Sequence, residues 1–375
     1  MGHDSWNLVA EKDLRSFRGI VLSPVNNAPA DAAAKIAALG ALRDQLDIVL
    51  DPQFYKPKSD RGTLPEWAHI TNDFETADLG DEKWWAERCK LIVQEGARVG
   101  ATSIASPAIL PRSYDPDYYN WAVNCADILY GLLDRQKVST LVTALVHLPE
   151  IGKAGEAERI ASILTRARAT RVYLVLCDDV APRAQRMDSE ALAGAMSLIR
   201  MLEVAGSQVL VACVGLDMLL WKFAGATDVA TGKFFNLRRF VPGRWDDPEE
   251  KGRVVPYWTD DELVTWLRED EVRLLLRLGF IDSGRASTNP FSAEILALLD
   301  RRKEEAWLRL GWLQYLYWFS QREADIAAGR ADVREMLRHA DARWAELEQR
   351  KVYLFDRANN GEWVRAWLNA FVLLT

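Results

Sequence analysis

The stretch from residue 206 to residue 240 decides the fold, and its core is Gln-Val-Leu-Val-Ala-Cys-Val at positions 208–214. This apolar run is rich in β-branched residues and too short for a core helix, so it predicts a strand buried on both faces. A short segment with a polar end, Gly215-Leu216-Asp217, comes next, and a short apolar helix is expected from Met218 to Ala224. A second polar segment follows this helix. This succession is typical of the wall of an α/β barrel.

The same alternation of short apolar runs and helical segments extends through most of the chain. Strands are predicted at Gly19–Pro24, Asp47–Asp51, Ala101–Ser106, Val138–Leu148, Arg171–Cys177, Gln208–Val214, Asp228–Ala230 and Val254–Tyr257. Helices are predicted at Ala30–Leu46, Asp81–Val99, Asp115–Gln136, Gly155–Ala169, Ser189–Ala205, Asp260–Leu267 and Asp270–Leu278. The pattern predicts a (β/α)8 TIM-type barrel over residues 1–283. An open doubly wound sheet is the alternative, although no glycine-rich phosphate loop follows the first strand.

The alternation stops near Arg285, and only helical patterns follow. These lie at Pro290–Arg302, Glu304–Phe319, Arg322–Arg350 and Gly361–Leu374. The sequence therefore predicts an all-helical C-terminal domain over residues 284–375, rich in tryptophan and arginine. Tryptophans at helical spacing are usually core residues. Tryptophan and arginine also favour interfaces, so a protein partner bound through residues 304–375 is a second interpretation of this region.

Composition limits the classes of protein to which the chain can belong. Its 375 residues carry a formal charge of −7, which gives no general attraction to nucleic acid or to an anionic membrane. There is no signal-peptide pattern and no apolar run of membrane-spanning length, so we expect a cytoplasmic protein with no membrane partner. Four cysteines without paired spacing (Cys89, Cys125, Cys177 and Cys213) are expected to be reduced core residues.

Metal ligands are poorly represented in the sequence. The four histidines (His3, His69, His147 and His339) show no His-x-His or His-x-x-x-His spacing, and the cysteines form no cluster. A zinc site is therefore not expected, and we assign no metal ligand. A magnesium ion held by carboxylates alone would leave no spacing signal. No motif identifies an organic cofactor.

In a barrel of this kind the active face is built from the residues that follow the strands. The catalytic candidates at these positions are Asp51, His147, Asp178 and Asp217. A carboxyl among other carboxylates can have its pKa raised and then serve as a general acid, a general base or a nucleophile. Each candidate also has a structural interpretation. Asp51 precedes a proline and is suited to a turn, the pair Asp178-Asp179 is equally a turn, and a buried histidine is commonly hydrogen-bonded in the core.

The ligand-binding candidates follow the predicted second and seventh strands. They are Gln53, Tyr55, Thr231, Gly232, Lys233, Arg238 and Arg239. Barrels often hold phosphate in the loops after strands seven and eight, through backbone N–H groups and a helix start. Thr-Gly-Lys at 231–233, with two arginines close behind, predicts such an anion site. A solvated basic turn is the alternative.

One short segment resembles a known family. Gly215-Leu216-Asp217-Met218, followed by an arginine-bearing segment, resembles the region around the nucleophile in tRNA-guanine transglycosylase-like barrels. The resemblance implies base exchange at a glycosidic bond by aspartates at strand ends. The chain departs from the family in three ways. Leucines occupy 219 and 220 where a second aspartate is expected, Asp51-Pro52-Gln53 replaces the Asp-Ser-Gly-Gly element, and the cysteine-rich zinc site is missing.

Two hypotheses about function follow from these patterns. In the first, the chain is an enzyme, or a former enzyme, that acts on a phosphate-bearing ligand such as a nucleotide or a nucleic-acid end. Asp51 would then be the acid–base or nucleophilic carboxylate, Asp217 or Asp178 the second carboxylate, and Lys233, Arg238 and Arg239 the phosphate ligands. In the second, the barrel is catalytically inactive and serves as a protein-interaction subunit of a larger assembly through its helical C-terminal region.

Overall fold

A seven-stranded parallel sheet forms the centre of the protein, seen in a computed structural model that describes residues 2, 4–134, 136–246, 254–300 and 307–374. Its strands are hydrogen-bonded in sequence order. They are β1 (Gly19–Leu22), β2 (Asp47–Leu50), β3 (Ser103–Ala105), β4 (Ser139–His147), β5 (Arg171–Cys177), β6 (Gln208–Ala212) and β7 (Asp228–Val229). All seven coincide with predicted strands, which confirms an α/β fold with a parallel sheet.

Helices connect the strands and continue after them. They are α1 (Ser5–Ala10), α2 (Pro29–Ala38), α3 (Glu82–Val99), α4 (Pro116–Leu133), α5 (Leu148–Ile151), α6 (Glu156–Leu164), α7 (Ser189–Val204), α8 (Met218–Phe223), α9 (Glu269–Arg277), α10 (Ser283–Ala286), α11 (Pro290–Asp300), α12 (Leu308–Ala327), α13 (Val333–Gln349) and α14 (Glu362–Leu373). Asp81, Asp115 and Asp188 cap α3, α4 and α7, because each side chain accepts backbone N–H groups of the first turn. These caps explain why three helices begin close to their predicted positions.

The sheet is strongly curled, as two contacts across its concave face show. Neighbouring strands lie about 4.8 Å apart, so β2 and β5 would be separated by about 14 Å in a flat sheet. Nevertheless the Tyr173 hydroxyl on β5 lies 3.3 Å from the carboxylate of Asp51, which follows β2. At the opposite ends of the same strands, Arg171 donates to Asp47 at 2.8 Å. The sheet is therefore a half-barrel with a closely packed interior.

The two faces of the sheet bury different side chains. Ile20, Ile48 and Ile104 point outward and pack with Ile36 of α2 and Ile92 of α3. The residues between these positions point to the concave face and pack in the core inside the half-barrel. On the first three strands they are Val21, Val49 and Ala105. Successive side chains of a strand alternate between these two faces. Because both faces are buried, the strands are almost continuously apolar.

The predicted eighth strand is not formed. Val254–Tyr257 lies outside any strand, and the chain instead builds a two-stranded antiparallel hairpin from β8 (Trp258–Asp260) and β9 (Thr265–Leu267). The prediction of a helix over Asp260–Leu267 is wrong for the same reason. The Asp260 carboxylate accepts the backbone N–H groups of Glu262 and Leu263, which closes a turn, and Val264 adopts a positive φ of 50°.

Helix α12 lies where an eighth strand would have closed the barrel. It packs against α8, against β8 and against the N-terminal 3₁₀ helix Lys12–Leu14. Phe319 stacks on Phe17 just before β1, with ring centroids 6.4 Å apart, and the Tyr315 hydroxyl lies 2.7 Å from Thr231 Oγ1 just after β7. A helix thus covers the gap between the first and last strands, so the sheet edges are shielded without strand pairing.

The C-terminal helices pack closely against the half-barrel. Helix α14 lies against α7, and α13 touches α8. Trp367 Nε1 donates to the backbone oxygen of Arg186 at 2.9 Å, and Ser189 Oγ donates to that of Ala366, also at 2.9 Å. Five tail tryptophans are buried in the common core: Trp307, Trp318, Trp344, Trp363 and Trp367. The division of the chain at residue 283 stays a prediction.

Some predicted helix limits are wrong for local reasons. The first helix ends at Ala38, and a 3₁₀ helix from Gly40 follows, with Gly40 at a φ of +54°. The segment Arg322–Arg350 is not one helix, since α12 runs on to Ala327 and Gly329 turns at a φ of +67° before Asp332 caps α13. Residues 301–306 lie outside the described residues. Among the described helices, none combines the length and apolar character that a membrane crossing requires.

Candidate active site

Three of the candidate residues meet at the end of β2, around the carboxylate of Asp51. Asp51 is only 3% exposed. The backbone N–H of Gln53 donates to its Oδ1 at 3.0 Å, and the Tyr55 hydroxyl lies 3.1 Å from both carboxylate oxygens. Tyr173, which sequence analysis missed, adds a third donor from β5. Asp51, Gln53 and Tyr55 therefore form one site, as their positions after a strand had indicated.

Burial sets the proton affinity of this carboxyl group. It raises the pKa of Asp51 to about 6, although the donors from Gln53 and Tyr55 and the charge of Arg244 oppose that rise. Burial also keeps the pKa values of Tyr55 and Tyr173 well above that of an ordinary tyrosine, so both remain hydrogen-bond donors. A carboxyl with a pKa near neutrality, surrounded by neutral donors, is suited to proton transfer.

Two residues near Asp51 have a strained backbone. Gln53 has a φ of 54° and Cys213, immediately after β6, has a φ of 57°. Side-chain-bearing residues rarely adopt this region, and such conformations are typically found at functional sites. Cys213 is no nucleophile at neutral pH, since burial raises the pKa of its thiol to about 12. All four cysteines are free and buried, as expected.

A segment that contains a short 3₁₀ helix packs over the Asp51 site. Phe240 and Trp245 both pack on the ring of Tyr55, with centroids 5.1 and 4.8 Å away. Ser59 Oγ donates to the backbone oxygen of Trp245 at 2.6 Å, and Lys56 pairs with Asp246. Residues 240–246, here called the covering segment, therefore close the concave face above Asp51. The segment also brings in Arg244, which no sequence pattern singled out.

Asp178 and Asp217 belong to a second buried cluster, which is an ion-pair network. Arg186 Nε donates to Asp178 at 2.6 Å and Arg186 Nη1 to Asp217. Arg239 lies 3.4 Å from Asp178. Burial alone would raise the pKa of Asp178, but the charges of Arg186 and Arg239 lower it below its usual value. Asp217 also accepts the backbone N–H of Gly215 at 2.8 Å. Each group already has a partner of opposite charge, which favours a structural role.

The predicted anion ligands are likewise engaged within the protein. Lys233 pairs with Asp4 at 2.8 Å. Arg238 donates to the backbone oxygens of Gly232 and Lys233 and lies 3.5 Å above the ring of Tyr315. Thr231 bonds to Tyr315 through its hydroxyl. These residues form a packed bridge between the end of β7 and α12, and they do not converge on one open point.

His147 lies apart from both clusters. It ends β4, its ring stacks on Tyr114 with centroids 5.1 Å apart, and its Nδ1 lies 3.8 Å from Glu150. Its side chain is partly exposed, and its Nδ1 is buried without a hydrogen-bond partner among the described residues. Its catalytic role stays a prediction without a supporting contact to Asp51.

One cavity of the protein lies away from the Asp51 site. About 290 Å³ in volume, it lies between the β8–β9 hairpin and helices α10 to α12. Gln314 on its wall is hydrogen-bonded on both sides, to the backbone of Thr259 and to Ser292. The Asp260 carboxylate in the same lining closes the hairpin turn. None of the lining residues follows a strand of the parallel sheet, so we place the candidate site at Asp51 rather than at this cavity. No set of three or more His, Cys, Asp or Glu side chains within the described part of the chain is arranged to hold a metal ion.

Comparisons with known proteins provide no family for this chain. No protein-family model, no curated protein and no solved structure matches it.

Proposed function

We propose that the protein is an acid–base enzyme that acts on a phosphate-bearing ligand of the nucleotide or sugar-phosphate class, with Asp51 as the general base. The observation that carries the proposal is the Asp51 carboxyl group, buried at the strand ends of a parallel half-barrel and hydrogen-bonded by Gln53, Tyr55 and Tyr173. With a pKa of about 6 it is largely ionised at neutral pH and accepts a proton readily.

The proposed step is proton abstraction. The ionised Asp51 takes the proton of an attacking water or hydroxyl, and the donors from Tyr55 and Tyr173 hold the carboxylate in place while it does so. The oxygen then attacks a glycosidic carbon, the bond from that carbon to the base breaks, and the departing base takes its electron pair and a proton from solvent. Glycosidic-bond chemistry of this kind is what the resemblance to tRNA-guanine transglycosylase-like barrels supports. Full closure of a TIM-type barrel is not needed for this chemistry, because the active end of a parallel sheet is defined by its strand ends.

A substrate screen tests this proposal. Nucleosides, nucleotides, sugar phosphates and short RNAs are incubated with the protein, and the release of base or phosphate is followed by mass spectrometry. For any compound turned over, Asp51→Asn is expected to lower kcat by about 100-fold or more. The value of kcat/KM is expected to rise with pH through about 6, since the base acts when ionised.

The control is Asp179→Asn, which alters an exposed carboxylate one residue from the second cluster. It is expected to leave turnover unchanged. Turnover by Asp51→Asn at the wild-type rate, or a failure of every compound in the screen to react, would count against Asp51 as the base.

A second candidate function rests on exposed aromatic residues. Tyr353 is 72% exposed and Phe355 is 68% exposed, both in the loop between α13 and α14. Most tail tryptophans are core residues, so these two rings are the better candidates for contact with another protein. On this view the chain is a non-catalytic subunit of a larger assembly.

Surface substitution tests the second function better than truncation. Removing the chain after Gly284 would remove the packing of α14 on α7 and unfold the core. We expect Tyr353→Ser combined with Phe355→Ser to leave the midpoint of thermal unfolding unchanged and to release any polypeptide that co-purifies with the wild type. Co-purification of the same polypeptide at wild-type yield would eliminate this surface as the docking site.

A further inference from the structure

The hydroxyl oxygen of Ser23, at the end of β1, receives an unusual number of hydrogen bonds. Asn26 Nδ2 donates to it at 3.0 Å, Gln53 Nε2 at 2.9 Å and Arg244 Nη2 at 3.0 Å. A hydroxyl oxygen has two lone pairs, so three N–H donors exceed what it can accept fully. Ser23 therefore cannot satisfy all three side-chain donors, one of which is charged. The donor capacity left over beside Ser23 is available to an anionic oxygen of a ligand.

Arg244 is the cation of this group, and its contacts differ from those of the buried cations near the other strand ends. Arg238 is held by two backbone oxygens. Lys233, Arg186 and Arg239 each have a carboxylate partner. Among the described residues no carboxylate lies within ion-pair distance of Arg244, which donates a hydrogen bond to Ser23 and interacts with Asp51 only at longer range. Its guanidinium therefore keeps N–H donors for an anion.

Gln53 connects Ser23 directly to Asp51. Its backbone N–H donates to Asp51, its side-chain nitrogen donates to Ser23, and its side-chain oxygen accepts the backbone N–H of Val25 at 2.9 Å. One residue, held at a positive φ, thus binds both groups. The two groups therefore lie within the reach of a single glutamine residue.

We propose that Arg244, Asn26 and Gln53 form the anion-binding subsite of the Asp51 site, and that it takes the phosphate of the substrate. This inference rests on the proposed function, which it deepens by moving phosphate recognition from Lys233, Arg238 and Arg239 to Arg244. The ligand is a small phosphate ester whose phosphate lies within one sugar unit of the bond that reacts at Asp51. Arg244 belongs to the covering segment, so phosphate binding also holds that segment over the bound ligand.

The experiment uses inorganic phosphate as the probe. Binding to the full-length protein is measured by isothermal titration calorimetry at neutral pH, with ionic strength held constant by sodium chloride. We expect Arg244→Met to weaken phosphate binding by about tenfold or more, which corresponds to about 1.4 kcal/mol, because the charge-assisted hydrogen bonds to the phosphate are lost. Arg244→Lys keeps the positive charge but lacks the planar guanidinium that binds two oxygens at once, so it is expected to recover part of the affinity.

Three further variants make the result decisive. Arg18→Met, which removes an exposed cation, and Lys233→Met are expected to bind phosphate like the wild type. Asp51→Asn is expected to bind it at least as well, because a nearby negative charge is removed. Wild-type affinity in Arg244→Met, loss of binding in Lys233→Met alone, or no binding by the wild type would each overturn the inference. Phosphate binding that depends on Arg244, with turnover unaffected by Asp51→Asn, would support the subsite and refute the proposed function.

Discussion

Replacing Asp51 by asparagine is expected to stabilise the protein at neutral pH by about 3 kcal/mol. The reason is the pKa of about 6 that burial imposes on this carboxyl in the folded state, against 3.8 ordinarily, since one pKa unit corresponds to about 1.4 kcal/mol. Above about pH 6 the folded protein must hold an ionised carboxylate away from water. Asparagine removes that cost and still offers an oxygen to the N–H of Gln53.

The pH dependence gives the sharper test. Between about pH 4 and pH 6 folded Asp51 retains a proton that the unfolded chain has released, so the free energy of unfolding falls as the pH rises. In Asp51→Asn this fall should be smaller by about 3 kcal/mol, the share of Asp51, while Asp260, whose pKa burial also raises to about 6, still contributes to it. Below about pH 4 the two proteins should differ little. Urea denaturation at a series of pH values measures both effects. A variant less stable than the wild type at neutral pH would show that the carboxylate is well solvated or paired.

Gains of stability at the expense of activity are typical of active-site substitutions. A rise in stability together with a loss of turnover would therefore identify Asp51 as a functional carboxylate. A loss of stability together with a loss of turnover would indicate a residue that the fold needs.

The second large effect is expected at Arg186. Arg186→Met is expected to lower the free energy of unfolding by about 3–5 kcal/mol, because it leaves the buried carboxylates of Asp178 and Asp217 with too little positive charge. Arg239 is the only other cation in the cluster within the described residues, and it lies 3.4 Å from Asp178. The substitution also removes the hydrogen bond from Arg186 to the Leu176 backbone oxygen.

A surface ion pair provides the matched control. Arg338 pairs with Glu335 on the exposed face of α13, and Arg338→Met is expected to cost less than about 1 kcal/mol. Chemical denaturation of the two variants under the same conditions gives the comparison. Equal effects at the two sites would show that the Arg186 network is solvated, and would make Asp178 and Asp217 available for chemistry again.

The sequence predicted the sheet better than it predicted its closure. Continuous apolar runs such as 171–177 and 208–212 identify buried parallel strands by themselves, because both faces of such a strand are covered. The sequence predicted a helix over residues 260–267, where the structure has the end of β8 and the strand β9. The turn made by Asp260 decided in favour of a hairpin, and helix α12 occupies the place of an eighth strand.

The candidate site was also found in part. Asp51, Gln53 and Tyr55 were identifiable because they follow a strand directly, and the ends of parallel strands share one edge of the sheet. Tyr173 lies inside β5, where its aromatic ring resembles any other core residue, and only the curl of the sheet brings it to Asp51. Arg244 comes from an irregular segment about two hundred residues away in sequence, which no periodicity describes.

The sequence by itself determined the α/β class, the order of the strands and the strand end that carries Asp51, because local hydrophobic periodicity and turn chemistry act between near neighbours. Only the tertiary structure decided which charges are paired. Lys233 and Arg239 had the residue type and position of phosphate ligands, yet each has an internal carboxylate partner. Arg244 does not have one among the described residues. Ion pairing depends on distances across the fold, and a linear sequence does not contain those distances.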